Sequence, residues 1–384
     1  MATNFDLRFT KEDLRFKSPI PNQKITLIRI TNFMRNLILL LTFIFLAQIS
    51  NAQDRLFSQF YSAPLTLNPA LTGAFDGKFR VAANYRDQWR GALQSPYKTF
   101  AGALDLKWGI GARTSRFRDA AAVGVVFYND QINDGDFATT QLSVSGAFHK
   151  SLSRKSSQYL SAGFQAGIAQ KAINYEQLTF EDQFNGTTGY TDPTGEPFPE
   201  NSFAYADFSV GLNYAWVIKA RTSLFAGAAY HHFLSPSVSF FYNPDDPSLP
   251  FPDNALFPKL SAQLGLSLPL RDGLDFLPRA IFASQGPHTK VDAGANFRIS
   301  LSEYQSLALH LGGYARVVGN EDDSFGLSEV VALVGIEYNR VLFGISYDLN
   351  LDDIQNTNLG QRTLEFSVAY LGEYQEDLIL CPKF

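Results

Sequence analysis

From Phe79 to Lys107 the chain alternates with a period of two, which restricts it to strand. Phe79, Val81, Ala83 and Tyr85 fall on one side of an extended backbone, and Arg80, Ala82, Asn84 and Arg86 on the other. An aromatic and polar bend (Gln88-Trp89-Arg90-Gly91, then Pro96) interrupts the pattern, which resumes from Thr99 to Lys107. The same unit recurs down the chain. It predicts fourteen strands, over 79–88, 98–107, 121–129, 137–149, 158–171, 205–216, 221–233, 259–270, 275–285, 289–299, 305–318, 328–338, 341–350 and 363–371. Lengths near ten residues suit tilted strands that cross a membrane.

Alternation of one apolar face with one small or polar face fits a soluble sandwich as well as a membrane barrel. Leu260, Ala262, Leu264, Leu266, Leu268 and Leu270 oppose Ser261, Gln263, Gly265 and Ser267, and Val341, Phe343, Ile345, Tyr347 and Leu349 oppose Gly344, Ser346 and Asp348. The connections discriminate. With the N-terminus in the periplasm, the two longest connections, 174–204 and 234–258, follow odd-numbered strands and face outward. Tight ones near 217–220 and 339–340 follow even-numbered strands and face inward. Long on one rim and short on the other is the asymmetry of outer-membrane barrels. The short connection at 286–288 and the longer one at 108–120 depart from it. Aromatics at strand ends, among them Trp89, Trp108, Trp216, Tyr338 and Tyr370, suit interfacial girdles. The expected fold is an all-β transmembrane antiparallel barrel with long extracellular loops and short periplasmic turns.

The N-terminus fits export. The one apolar run, Leu37 to Ala47, is too short to span a bilayer. Arg35 precedes it and Ser50-Asn51-Ala52 follows, which reads as a signal peptide over 34–52 cut after Ala52. Met34 makes a natural initiator, with residues 1–33 an over-extended start or a long n-region. Loss of 1–52 removes seven basic and three acidic residues and moves the net charge from −5 to −9. An acidic exported chain without basic clusters is no candidate for nucleic acid. Cys381 is alone, so no disulfide framework is expected. Residues 53–78, rich in proline and aromatics, are expected as a periplasmic segment or a plug in the barrel mouth, with an ordered strap along the base as the plainer alternative. The barrel is expected over 79–371 and a tail over 372–384.

Catalytic and metal motifs are absent from the sequence. His149, His231, His232, His288 and His310 lack ligand spacing and read as surface or strand-end residues, with His231 and His232 on opposite faces of one strand. Asp130 to Asp136 resembles a calcium loop, but Ile132 occupies a ligand position and no glutamate closes it. Asn133-Asp134-Gly135 is more simply a hairpin turn. There is no nucleophile elbow or phosphate loop, so neither an enzyme nor a cofactor is expected. Arg80, Arg86, Asp105, Lys107, Asp207 and Asp348, all inward by alternation, either line a watery lumen or pair within a closed one, and pairing is favoured.

Four motifs carry a family resemblance. They are Phe57-Ser58-Gln59-Phe60-Tyr61, Leu67-Asn68-Pro69-Ala70-Leu71-Thr72-Gly73, Tyr85-Arg86-Asp87-Gln88-Trp89 and Pro96-Tyr97-Lys98-Thr99, and the ending Cys381-Pro382-Lys383-Phe384 accompanies them. Their order resembles the PorP/SprF family, outer-membrane proteins of the type IX secretion system in Bacteroidota. The resemblance implies a fourteen-stranded barrel related in architecture to fatty-acid-transporter barrels. It implies a non-enzymatic role in exporting or anchoring a surface protein or adhesin that bears a C-terminal sorting domain. Implied partners are periplasmic and outer-membrane secretion and gliding components, in outer-membrane lipid. The family supplies no catalytic set. Interaction residues are expected at Asn68, Pro69, Gly73, Tyr85, Arg86, Gln88 and Trp89, and the purely structural alternative is a turn at Asn68-Pro69 and a girdle anchor at Trp89. A passive channel or hydrophobic-solute transporter is the competing function.

Overall fold

The computed structural model describes residues 57–91, 96–111, 118–132, 137–153, 157–240, 255–302, 306–319, 325–351 and 360–372. The expected signal peptide, the turn at 133–135 and the ending at Cys381 lie outside the described residues. Fourteen antiparallel strands close into one barrel: β1 (Phe79–Gln88), β2 (Tyr97–Ile110), β3 (Asp119–Ile132), β4 (Phe137–Ser151), β5 (Gln158–Ile173), β6 (Ser202–Lys219), β7 (Thr222–His231), β8 (Lys259–Arg271), β9 (Leu274–Gln285), β10 (His288–Ser302), β11 (Leu307–Gly319), β12 (Phe325–Tyr338), β13 (Val341–Asn350) and β14 (Arg362–Gly372). Each strand pairs with its sequence neighbours. The seam between β1 and β14 runs in unbroken register from Phe79↔Gly372 to Gln88↔Thr363, so the sheet has no free edge.

The radial order is the inverse of a water-soluble core. Val81, Leu104, Val125, Leu142, Val144, Leu212, Leu264, Val334 and Ile345 face outward and are exposed. Arg80, Asn84, Asp105, Lys107, Ser145, Asp207, Gln263, Arg316, Asp348 and Glu365 face inward and are buried. An outer surface that is apolar around the whole barrel is stable only against lipid. Among the described residues no helix is long and apolar enough to cross a membrane, and the strands do the crossing.

The rims differ as expected. The strand ends joined by 174–201, 232–258 and 351–361 lie on one rim, while tight turns at 220–221, 272–273 and 339–340 lie on the other. Asn339 (φ 44°) and Arg340 (φ 71°) both adopt the positive φ that a type I′ hairpin needs. The tight turn at 286–287 is the exception on the long rim. Connection 174–201 folds on itself: Tyr175 stacks on Phe198 with centroids 4.6 Å apart, and Asp182 Oδ2 accepts from the Gly195 N–H at 2.6 Å. An arginine at Val144, which lies mid-strand in β4 and is 56% exposed, is expected to destabilise the folded barrel by about 2–4 kcal/mol. Urea titration of the protein folded in phosphatidylcholine vesicles measures this. A change within experimental error would argue against a lipid-facing position.

Candidate functional site

Residues 57–75 lie inside the barrel, against its wall. Proline at 64 and 69 keeps them from forming one long helix. They form instead a short helix (Pro64–Leu67) between two 3₁₀ turns, Phe60–Ser62 and Pro69–Leu71. All of these residues are buried except Tyr61 and Thr66, which are half-buried. One side is apolar: Phe60, Leu67, Leu71 and Ala74 pack on Ile281, Ala283, Tyr314 and Val331 of the wall. The other side is held by polar groups that the strands direct inward, and the segment acts as a plug.

At the start of the plug, the Ser58 and Gln59 N–H groups donate to Glu365 Oε2 and Oε1, each at 2.8 Å. The Ser58 hydroxyl donates to Asp348 and accepts from Arg86 Nη1 at 2.9 Å and Arg316 Nη2 at 3.0 Å. Arg86 lies 3.3 Å from Asp348 and 3.6 Å from Glu365. Arg316 pairs with Asp292 at 2.8 Å, with Glu329, and with Asp348 at 3.6 Å. Four buried carboxylates thus share two guanidinium groups, with the Lys290 ammonium beside Asp292 and Glu329. Buried charge persists only when paired and hydrogen-bonded. The backbone donors of the plug supply what the arginines leave unfilled on Glu365, so wall and plug complete each other.

Further along, Asn68 Oδ1 caps the Pro69–Leu71 turn by accepting from the Ala70 N–H at 2.8 Å. Its Nδ2 donates to the carbonyls of Leu212 at 3.0 Å and Ala228 at 3.2 Å. The close approach requires glycine opposite: a Cβ at Gly163 would lie 2.3 Å from the Pro69 carbonyl carbon, and one at Gly211 would lie 1.9 Å from Asn68 Oδ1. Gly73 (φ 73°) donates its N–H to Asp105 Oδ2 at 2.7 Å, and Arg80 clamps the same carboxylate at 2.7 and 3.0 Å. Arg80 and Lys107 both lie over the Phe75 ring, and Lys107 Nζ donates to the Phe75 carbonyl. Gly163→Ala is expected to cost about 1–3 kcal/mol by overpacking. Thermal unfolding checks this, and protease sensitivity appearing first within 57–75 would localise the strain. A silent substitution would contradict the tight seat.

The expected interaction residues separate into two groups. Asn68, Pro69, Gly73 and Arg86 are buried at the contact between plug and wall. Tyr85 is half-buried on the outer face of β1, and Gln88 is half-buried at its long-rim end. Trp89 follows with φ 64°, its ring edge-on to Tyr97 at 5.5 Å.

The histidine reading needs correction. His149 is fully buried at 0% exposure, with Nε2 on the Thr72 carbonyl at 2.8 Å and Nδ1 on Ser161 Oγ at 2.7 Å. His231 meets the Leu67 carbonyl at 3.2 Å and Ser209 Oγ at 3.1 Å. His232 does not point to the opposite face: at φ 55° the chain leaves the strand and turns its ring inward, where Nδ1 meets Asp207 Oδ1 at 2.7 Å. Arg316, Glu329 and Glu365 escaped the sequence reading, which also placed His149 at the surface or a strand end. The only available signal was charge or imidazole at inward positions, and their partners lie far away in sequence. The paired reading of Arg80, Arg86, Asp105 and Asp348 agrees with the ion pairs. Among the described residues no group of three or more His, Cys, Asp or Glu could hold a metal.

The family described as type IX secretion system membrane protein PorP/SprF matches residues 49–370. The chain belongs to the PorP/SprF family. It is an integral outer-membrane protein. No curated protein sequence matches it. Among solved structures, the Pseudomonas putida toluene transporter TodX is 13% identical with a TM-score of 0.41, over 84% of this chain and 95% of TodX. A Pseudomonas aeruginosa FadL homologue is 13% identical with a TM-score of 0.42, over 81% and 93%. BamA from Haemophilus ducreyi is 10% identical with a TM-score of 0.37, over 77% and 70%. At such scores nothing about ligand or cargo transfers to this PorP/SprF protein.

Proposed function

We propose that this PorP/SprF protein is a non-enzymatic subunit of the type IX secretion and gliding machinery. It helps export, or hold at the cell surface, an adhesin or other surface protein that bears a C-terminal sorting domain. The observation that carries the reading is the seat of 57–75 inside the barrel. A passive channel or hydrophobic-solute transporter needs a continuous path, and here 57–75 occupies it, fixed by Glu365, Asp348, Asp105 and His149. A barrel that holds its own chain inside suits an adaptor that works through its surfaces. In this reading Tyr85, Gln88, Trp89 and the long connections meet the partner. Asn68, Pro69, Gly73 and Arg86 act indirectly by seating the plug beneath that rim.

The test is partnership. The protein, tagged after Phe384, is purified from native membranes in mild detergent, and the accompanying proteins are identified by mass spectrometry. Co-purification of secretion-ring lipoproteins or a large surface protein is the expected result. If it comes alone and makes liposomes permeable to small solutes, the secretion role falls and the channel takes its place.

A further inference from the structure

Connection 174–201 contains a small hairpin. Phe184 and Tyr190 pair across it as an antiparallel bridge, with ring centroids 5.2 Å apart. The Asn185 N–H donates to the Gly189 carbonyl at 3.0 Å, and the Asp192 N–H to the Gln183 carbonyl at 3.2 Å. Asn185 Nδ2 donates to Thr188 and Thr191 at 2.7 Å each, which braces the tip. At the base Phe198 packs on Phe180 as well as on Tyr175. The two hairpin rings are left in water, Phe184 at 56% and Tyr190 at 58% exposure. Glu181, Asp182 and Asp192 flank them in the chain, and Glu176, Glu196 and Glu200 lie further along; all six are exposed. Residues 174–201 contain no lysine or arginine.

We infer that this hairpin is a docking surface for a basic segment of another protein. The inference rests on the reading above, in which the long connections meet the partner, and adds that partner's chemistry. Two aromatic side chains on a preformed hairpin give an anchor that loses little freedom on binding. Charge selects the occupant. Connections 232–258, 320–324 and 351–361 join strand ends on the same rim and contain three, three and two acidic residues, with no lysine or arginine. The field of such a rim draws in a cationic partner and turns away an anionic one. A second copy would bring the same carboxylates, and its Arg221 and Arg340 lie in tight turns at the opposite end of the strands, across the bilayer. Phosphate-bearing lipid headgroups meet the same repulsion. A metal ion does not suit the hairpin: among the described residues no group of three or more His, Cys, Asp or Glu could hold one, and Asp182 already accepts from Thr194 and Gly195. An uncharged apolar partner would strip water from the carboxylates and return no counter-charge.

In the native host, Tyr190→p-benzoylphenylalanine keeps the ring and makes it photoreactive in the full-length protein. Irradiated cells are expected to yield an adduct with another protein, whose attached peptide, identified by mass spectrometry, carries net positive charge. Glu181→Lys combined with Asp192→Lys is expected to cut the adduct yield about tenfold, and Phe184→Ala by a similar factor. Should the charge-reversed form fail the heat-modifiability assay for folded barrel, Glu181→Gln with Asp192→Asn repeats the test. No protein adduct, an adduct with a second copy or with lipopolysaccharide, an attached peptide without net positive charge, or an unchanged yield in the folded charge variants would each overturn the docking surface. The two readings fail separately. A basic partner outside the secretion machinery upholds the surface and removes the secretion role. Ring lipoproteins that co-purify without any Tyr190 adduct uphold the role and remove the surface.

Discussion

Arg316→Ala should destabilise the barrel by about 3–5 kcal/mol, the cost of removing one partner from a buried ionic group. Arg316 is 6% exposed and serves Asp292, Glu329, Asp348 and the Ser58 hydroxyl at once. Alanine leaves three carboxylates in a dry space with only Arg86 and the Lys290 ammonium nearby, so the plug loses part of its socket. Two readouts follow: a lower urea midpoint in vesicles and faster protease cutting within 57–75. Arg316→Lys should recover part of the loss, since one ammonium cannot reproduce a guanidinium fork to several acceptors. An unchanged midpoint with an unchanged cutting rate would show that the network does not hold the plug.

Deleting 57–75 should convert a silent barrel into a conducting one. The strand ladder, continuous from β1 round to β14, does not depend on the plug for its hydrogen bonds. Without the plug, water replaces the Ser58, Gln59 and Gly73 donors around Glu365 and Asp105, and those carboxylates become hydrated charges lining a pore. Planar-bilayer recording is expected to show no steps for the full-length protein and resolved steps for the deletion, because the charged groups that held the plug become a hydrated lining. Equal conductance of both forms would mean that the plug does not seal the lumen.

The barrel itself was legible in the chain because a strand needs only a period of two, and membrane crossing needs only that one face be apolar. The fourteen predicted segments match the fourteen strands, though several run further, such as β6 to Lys219 and β2 to Ile110. Short turns were legible for the same local reason, and Asn339-Arg340 carries its own φ requirement. The seat of the N-terminal segment was not legible. Phe57 to Gly73 offers prolines and aromatics that exclude a long helix, but whether they lie outside the barrel or inside depends on groups such as Glu365, 307 positions beyond Ser58. His232 was misjudged because alternation assumes that the strand continues, and a single positive φ ended it.

Alone, the sequence determined which segments are strands, which faces meet lipid, how the rims differ and to which family its motifs are similar. The first three follow from local periodicity and composition, and the family similarity rests on the motifs at Phe57–Tyr61, Leu67–Gly73, Tyr85–Trp89 and Pro96–Thr99. Only the tertiary structure decided that 57–75 sit inside the barrel, that Arg86 and Arg316 share four carboxylates, and that Asp207, His232 and Gln165 line one small cavity. Closing the sheet brings β1 against β14 and sets residues from distant strands across a few ångströms of dry space, where the strength of each charge depends on its neighbours. No one-dimensional pattern encodes that neighbourhood.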